Sequence, residues 1–457
     1  MRRYIIIASV VALLMLSGIV AYLMLKRSSD GVASSLPKDI TMVARVDFQS
    51  LAVHYGLSGD HASSIMHKLL WYSDDDIDGI DYLSNSYAFA SQGYFGAVVP
   101  LKDSKRFKQF VEQARSCRFE QQRGLSWAVV DFNVLLAVSN DRAMMMGPAV
   151  GSELDELRNT IVACLKQSEE ESGMHSELFG MLAARNEPIT LATTYDALPA
   201  QLQPEGLGQY VNFSSLYATA GLTAMKDRAS LSIEFSSTDD KMNRMLDKFD
   251  EALQPINGNL LQTAPSNLAL HVEMGLNGEH FLNTLRSIPH MRTKLLFANA
   301  LLDLDMIIKS IDGDVAFSIS DNWVVQTEMH SMKFLDNVSG WNDDITRTAG
   351  IRFDISADKS HGSVLYKDDR FYYGVRGNRL VCSPNEQLSH ADAHNDVKYD
   401  FNTDLSQYSL FATVEAYNSF IDEYLPKAER VNIAAKDIRH WSIDLIVRDG
   451  ATLLDIF

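Results

Sequence analysis

Leu36-Pro37-Lys38-Asp39-Ile40-Thr41-Met42-Val43-Ala44-Arg45-Val46-Asp47 sets the fold class. Ile40, Met42, Ala44 and Val46 alternate with Thr41, Val43, Arg45 and Asp47, the period of a strand with one strongly buried face. A turn and a helix are expected to follow. The same grammar recurs along the chain. Gly96 to Leu101 is apolar and strand-like, and after Asp103 as N-cap, Phe107, Phe110, Val111 and Ala114 fall at helical spacing. Leu231 to Phe235 alternates, and Ser237-Thr238-Asp239 then precedes Met242, Met245, Leu246, Phe249 and Leu253 on one helical face. Strands of the same kind begin near 268 and 408.

The two halves also match in order. Pro37, Ile40, Met42 and Ala44 align with Pro265, Leu268, Leu270 and Val272, and Ala88-Phe89 aligns with Ala316-Phe317 at the same offset. Asp131, Val138, Arg142 and Gly147-Pro148 align with Asp368, Val375, Arg379 and Ser383-Pro384, and Ala192-Thr193 with Ala412-Thr413. Ala224-Met225-Lys226-Asp227 finally meets Ala434-Ala435-Lys436-Asp437. Collinear matches with drifting offsets predict a tandem duplication with loop insertions. Gln254-Pro255-Ile256-Asn257-Gly258 breaks a helix, so the copies are expected at 37–253 and 265–457. Strands joined by hairpins, with helices between, predict an α+β fold of mainly antiparallel sheet with helices packed on one face.

Tyr4 to Leu25 is a run of 22 uncharged residues, twelve of them Leu, Ile or Val. As a helix it reaches roughly 33 Å, and each of those twelve favours insertion by about 0.3 to 0.6 kcal/mol. Residues 1–27 are therefore expected to anchor the chain in a membrane by a single transmembrane helix. The small polar stretch 28–36 is expected to be a flexible linker. Arg2 and Arg3 before the apolar run, with Gly31-Val32-Ala33 after it, also fit a cleaved signal peptide. The run is longer than a typical signal core and is followed directly by Lys26 and Arg27, which favours a retained anchor with its N-terminus in the cytoplasm.

Composition narrows the function. Of 457 residues, 46% are hydrophobic and 22% charged, the balance of a folded protein. Lys and Arg total 41 against 59 Asp and Glu; without Arg2, Arg3, Lys26 and Arg27, 37 basic residues face 59 acidic ones, a net −22. Nucleic acid is excluded as a partner, because a phosphate backbone is held by clustered Lys and Arg. Cys117, Cys164 and Cys382 form neither a disulfide framework nor a zinc motif. Cys164 lies in an apolar helical stripe with Leu154, Leu157, Ile161 and Leu165, the place of a core thiol.

Leu36-Pro37-Lys38-Asp39 through Val46-Asp47, Gly79-Ile80-Asp81 followed by Tyr87-Ala88-Phe89, and Ser310-Ile311-Asp312-Gly313-Asp314 carry a resemblance. Together they resemble a family of uncharacterised Bacteroidetes-type cell-envelope proteins, known as a domain of unknown function, and the resemblance covers most of 37–457. It implies an extracytoplasmic location and transfers no catalytic residue. Many members are lipoproteins, whereas this chain has no cysteine near the end of its apolar run.

Asp74-Asp75-Asp76-Ile77-Asp78-Gly79 has the D-x-D-x-D-G opening of a calcium loop, which makes Asp74, Asp76 and Asp78 the candidate metal ligands. The twelfth position is Asn85, which lacks the bidentate carboxylate, so a solvated acidic turn competes with that reading. His390 and His394, interleaved with Asp392 and Asp396, have helical i, i+4 spacing but no H-E-x-x-H glutamate. Glu169-Glu170-Glu171 reads as a solvated helix end, and Met144-Met145-Met146 as strand core. P-loop, G-x-G-x-x-G and G-x-S-x-G motifs are absent from the sequence. The expected function is a non-catalytic binding or scaffold module on the periplasmic side of the inner membrane, without a cofactor, its partner an envelope protein or polymer. The alternative is an extracytoplasmic hydrolase or metal-dependent enzyme with a site between the two copies. A ligand carrier with a dry cavity is a third.

Overall fold

A computed structural model of the chain describes residues 32–55, 79–81, 84–130, 133–197, 213–264, 267–299, 303–337, 350–390, 404–415, 425 and 427–453. They divide into two compact units. One comprises the described residues up to Thr238 together with Thr452 and Leu453, and the other runs Asp239–Ala451. The fold is mixed α+β, and every strand pairing given below is antiparallel. The apolar run 4–25 lies outside the described residues. Among the described residues, no helix is long and apolar enough to cross a membrane.

In the first unit β1 (Ile40–Val46) is central. On one side it pairs with β2 (Ser86–Ser91), and the sheet continues through β3 (Tyr94–Pro100), β7 (Arg142–Gly147), β6 (Val134–Val138), β5 (Leu125–Val130) and β4 (Glu120–Gln122). On the other side it pairs with β8 (Ile189–Thr194), followed by β9 (Leu216–Ala224) and β10 (Arg228–Ser237). Asp47 ends β1 and caps α1 (Phe48–His54) through the Ser50 N–H. Asp103 caps α2 (Ser104–Arg115), accepting from the N–H groups of Lys105 and Arg106 as its sequence position predicts.

Helices cover both faces of this sheet, not one. Val43, Phe89, Val98, Leu135, Met144 and Met146 pack against Leu157, Ile161 and Cys164 of α3 (Glu153–Lys166) and Leu178 and Leu182 of α4 (Glu177–Ala183). Val99, Leu136, Val138 and Ala143 point the opposite way and meet Phe107 and Val111 of α2. The cause is in the strands: Val98-Val99, Leu135-Leu136-Ala137-Val138 and Ala143-Met144-Met145-Met146 are apolar at consecutive positions, so both sides must be removed from water. Of the segment read as a flexible linker, the described residues 32–36 also belong to this core. Ala33 and Leu36 are fully buried, and Gln167 Nε2 donates to the carbonyls of Ser34 and Leu36 at 2.8 and 2.7 Å.

In the second unit β12 (Leu270–Asn277) is central. On one side follow β13 (Ile311–Ile319), β14 (Trp323–Met329), β18 (Arg379–Ser383), β17 (Asp369–Arg376), β16 (His361–Tyr366) and β15 (Ile351–Ile355). On the other follow β19 (Leu410–Glu415), β20 (Ala428–Ala435) and β21 (His440–Val447). The short β11 (Leu253–Gln254) pairs with Gly275 and Leu276 of β12.

Helix α5 (Asp240–Ala252), read from sequence as the last element of the first copy, packs with this second unit. Arg439 grips it through Asp247 and Asp250 at 2.7 and 2.6 Å, and Thr284 of α7 (Gly278–Ser287) donates to the Lys248 carbonyl at 2.9 Å. The helix ends at Ala252, ahead of Pro255 and Gly258, and the chain passes straight into β11 beside β12, so the helix break is not a domain break. Between β11 and β12 lies a strap, residues 255–264, that contains the single-turn α6 (Asn259–Gln262).

Candidate functional site

The strand ladders correct the alignment of the two halves by one residue. Val43 lies opposite Phe89 and Ala192, and Val272 lies opposite Phe317 and Ala412. Val272 therefore occupies the place of Val43, not of Ala44, and Glu273 occupies the place of Ala44. A one-residue slip moves every side chain to the other face of a strand. The apolar Leu270 and Val272, expected in the core, are half-buried, while His271 and Glu273 are fully buried. In the first unit this part of the sheet is a small apolar cluster of Ala44, Ala88 and Ala97 against Leu191.

A polar chain runs through the buried face of β12 and its neighbours. Ser318 Oγ is 2.9 Å from His271 Nδ1, and His271 Nε2 is 3.0 Å from Glu273 Oε2. Glu273 Oε2 also accepts the N–H of Leu261, in the strap, at 3.2 Å. Asp314 stands within hydrogen-bonding reach of Glu273. Its Oδ2 accepts the N–H of Asn257 at 2.8 Å. Glu328 Oε2 accepts from Asn257 Nδ2 at 2.9 Å and from the Asp314 N–H at 3.2 Å. Further along, Thr263 Oγ1 donates to Gln326 Oε1 at 3.2 Å and accepts from Arg379 Nη1 at 3.1 Å. Two glycines make the room. A Cβ on Gly313 would lie 2.6 Å from Glu328 Oε2, and one on Gly275 would run into the Gln254 carbonyl oxygen of β11, where the strap begins.

Burial sets the protonation of these groups. It pushes the His271 imidazole down to about 4, so the ring is neutral at physiological pH. It raises Glu273. It also pushes Asp314 up to about 7, helped by the hydrogen bond to Glu273 and by the negative charges of Glu273 and Glu328. Ser318, His271 and Glu273 follow the bonding order of a hydrolytic triad. Yet Ser318 is 1% exposed and lines neither of two surface cavities found among the described residues. One cavity, of about 490 Å³, is an open depression in the first unit lined by His54, Arg185, Glu187 and Glu234. The other, of about 410 Å³, lies between Arg286, Arg292, Leu295 and Leu296 in the second. A nucleophile must meet its substrate, so this chain of groups is a polar core, with one proton to place, roofed by the strap.

The sequence candidates fare differently. Asp74, Asp76 and Asp78 lie outside the described residues, as do Asp392, His394 and Asp396 and the side chain of His390. Gly79, which follows the aspartates, has φ +68° and its carbonyl accepts the N–H groups of Lys102 and Asp103, the role of a strand-entry turn. Glu169, Glu170 and Glu171 form an exposed 3₁₀ turn. Met144 and Met146 are core residues of β7, and Cys164 is buried with its thiol pushed up to about 11. Among the described residues, no group of three or more His, Cys, Asp and Glu side chains is disposed to hold a metal ion. The buried His271–Glu273 pair went unread in sequence. Its signal was Asp312-Gly313-Asp314, where glycine admits a neighbouring carboxylate.

The profile of a family described as a domain of unknown function, DUF4836, matches residues 76–409. No curated protein matches. Crystal form III of TP0453 is a solved structure with a TM-score of 0.26 and 9% identity, over 50% of this chain and 89% of that one. At that score the likeness carries no argument about fold or function.

Proposed function

The chain belongs to the DUF4836 family, and from that premise we propose a membrane-anchored, extracytoplasmic, non-catalytic module of the cell envelope that binds a protein or polymer. The observation that carries the binding role is on α8 (Pro289–Asn299) of the second unit. Leu296 and Phe297 are 66% and 74% exposed there, and Arg292 and Lys294 on the same helix are exposed as well. Large apolar side chains beside Arg on an otherwise acidic protein have the composition of an interface anchor. Anchoring rests on the apolar run 4–25, and the periplasmic side of the inner membrane on the anchor with the family resemblance.

The reading includes a tandem duplication. Its support is the strand order, β4-β5-β6-β7-β3-β2-β1-β8-β9-β10 in the first unit and β15-β16-β17-β18-β14-β13-β12-β19-β20-β21 in the second. Hairpin registers agree too, Val138 opposite Ala143 and Val375 opposite Leu380.

A photo-crosslinking residue placed at Phe297 in the full chain, in intact cells, is expected to give a defined adduct that the same residue placed at exposed Lys166 does not. Equal labelling from both positions removes the binding surface. The rival hydrolase reading draws on Ser318, His271 and Glu273, and labelling of Ser318 by a serine-directed fluorophosphonate would revive it.

A further inference from the structure

We propose that the strap, residues 255–264, is a proton-operated latch: it is held closed while Asp314 and Glu273 share one proton, and it loosens when that proton leaves. This inference is independent of the α8 surface.

Hydrogen-bond accounting places the proton. Ser318 donates to His271 Nδ1, and His271 Nε2–H then donates to Glu273 Oε2. Leu261 N–H donates to that same oxygen, and Asn257 N–H to Asp314 Oδ2. Glu273 Oε1 is then buried with no donor from any N–H or hydroxyl. A buried carboxylate oxygen without a donor costs about 1 to 3 kcal/mol or more, and the side chain within reach is Asp314. A proton on Asp314 donated to Glu273 Oε1 satisfies every atom of the chain. Burial and the neighbouring charges hold Asp314 near 7 in support of this.

The latch follows from what the strap is fastened to. Its N–H groups at Asn257 and Leu261 reach the two carboxyls of the pair, and the Asn257 amide reaches Glu328. The strap carries no titratable side chain from Pro255 to Ala264. The groups facing the pair are His271 from β12 and Glu328 from β14, with Arg379 of β18 one hydrogen bond away through Thr263. On the β19 side stand Phe411 and Thr413, which do not titrate. Loss of the proton leaves three carboxylates, Glu273, Asp314 and Glu328, facing one another, and among the described residues no cation is bonded directly to the pair. Opening relieves their repulsion and lets water reach them. It also lifts Ile256, Leu261 and Ala264 from Leu268, Phe411 and Ala434, uncovering an apolar floor.

The direction and window are fixed by the two opposed groups. Asp314 binds its proton more tightly in the closed state, so opening becomes easier as pH rises towards 7. His271, held near 4 when buried against 6.5 when free, opposes this below 6.5 by taking up a proton on exposure. The two nearly cancel in the acid range. Above 6.5 only the carboxyl remains.

Hydrogen–deuterium exchange of peptides spanning 254–264 in the full chain tests the latch. After correction for intrinsic rates, protection is expected to stay level from about pH 5 to 6 and to fall by roughly two- to threefold between pH 6 and 8. Peptides from β1 should not change. Asp314→Asn and Glu273→Gln each supply an amide N–H in place of the shared proton, so neither variant should show that fall, and with His271 left unopposed its protection should instead rise with pH up to about 6.5. Level protection in the native chain, or an equal fall in a folded variant, overturns the proposal. Should neither variant fold, the native chain still decides: it must show a protonated-carboxyl C=O stretch at pH 6 that disappears by pH 8, and its absence at pH 6 is equally fatal.

Discussion

His271 Nε2 stands 3.0 Å from Glu273 Oε2, two residues away on the same face of the central strand β12, and neither side chain has any exposure. Such a pair is stable only while each atom keeps its partner. His271→Leu strands the Glu273 carboxylate and the Ser318 hydroxyl together. The substitution is expected to cost about 2 to 4 kcal/mol, read as a lower urea midpoint. An unchanged midpoint would show that water replaces the imidazole.

Stability against pH follows from Asp314. Its folded-state value is raised from 3.8 to about 7, so its contribution is complete below about 4 and is lost as pH rises through 7. His271, lowered from 6.5 to about 4, loses its contribution as pH falls from 6.5 towards 4. Equilibrium unfolding is therefore expected to be steepest in pH between 6.5 and 8, with the native chain less stable at 8. Asp314→Asn should remove that slope. A parallel slope in the variant would assign the loss to other groups.

Thiol chemistry should be selective. Burial pushes both Cys164 and Cys382 up to about 11, and a protonated, enclosed thiol is a poor nucleophile. In the folded chain Cys117, half-buried beyond α2, is expected to be the first to react with a maleimide. Peptide mapping of a brief labelling reaction shows which cysteine carries the adduct, and early modification at Cys164 would contradict its place on the buried face of α3.

Gly275→Ala tests the approach of β11, where the strap begins, to the sheet. The new Cβ would run into the Gln254 carbonyl oxygen, a backbone atom that cannot turn aside. A loss of about 2 kcal/mol or more is expected, together with faster exchange of β11. Gly350, whose Cβ would meet nothing within 4 Å, shows what a positive-φ glycine costs without a clash.

Asp239→Ala removes an acceptor for the N–H groups of Lys241 and Met242, at 2.6 and 2.9 Å. Loss of such a cap costs about 1 kcal/mol. Because α5 packs with the second unit, the destabilisation should appear in exchange of α5 and α7 and leave β8 and β9 unchanged.

Much of the local structure was legible. Asp103 and Asp239 announce their helices because a carboxylate preceding an amphipathic run has one economical use, to take up orphan N–H groups. Cys164 and the Met144–Met146 run were legible for the same reason: apolar side chains at helical or strand spacing have one place to go. Antiparallel pairing followed from the hairpins, and the consecutive apolar residues of β3, β6 and β7 already required cover on both faces of the sheet, although one covered face was expected.

The sequence by itself determined the elements, their order and the family, since these rest on local periodicity, capping chemistry and short motifs. Only the tertiary structure decided which face of β12 is buried, to which unit α5 belongs and where the 32–36 segment sits. Each depends on contacts between residues distant in the chain. Phase is the clearest case: Leu270-His271-Val272-Glu273-Met274 alternates whichever side faces inward, and hydrophobicity alone favours the leucine and valine. The ladder with Phe317 and Ala412 sets the opposite phase. Asn257, Ser318 and Asp314, remote in sequence, then supply the partners that make a buried histidine and glutamate tolerable.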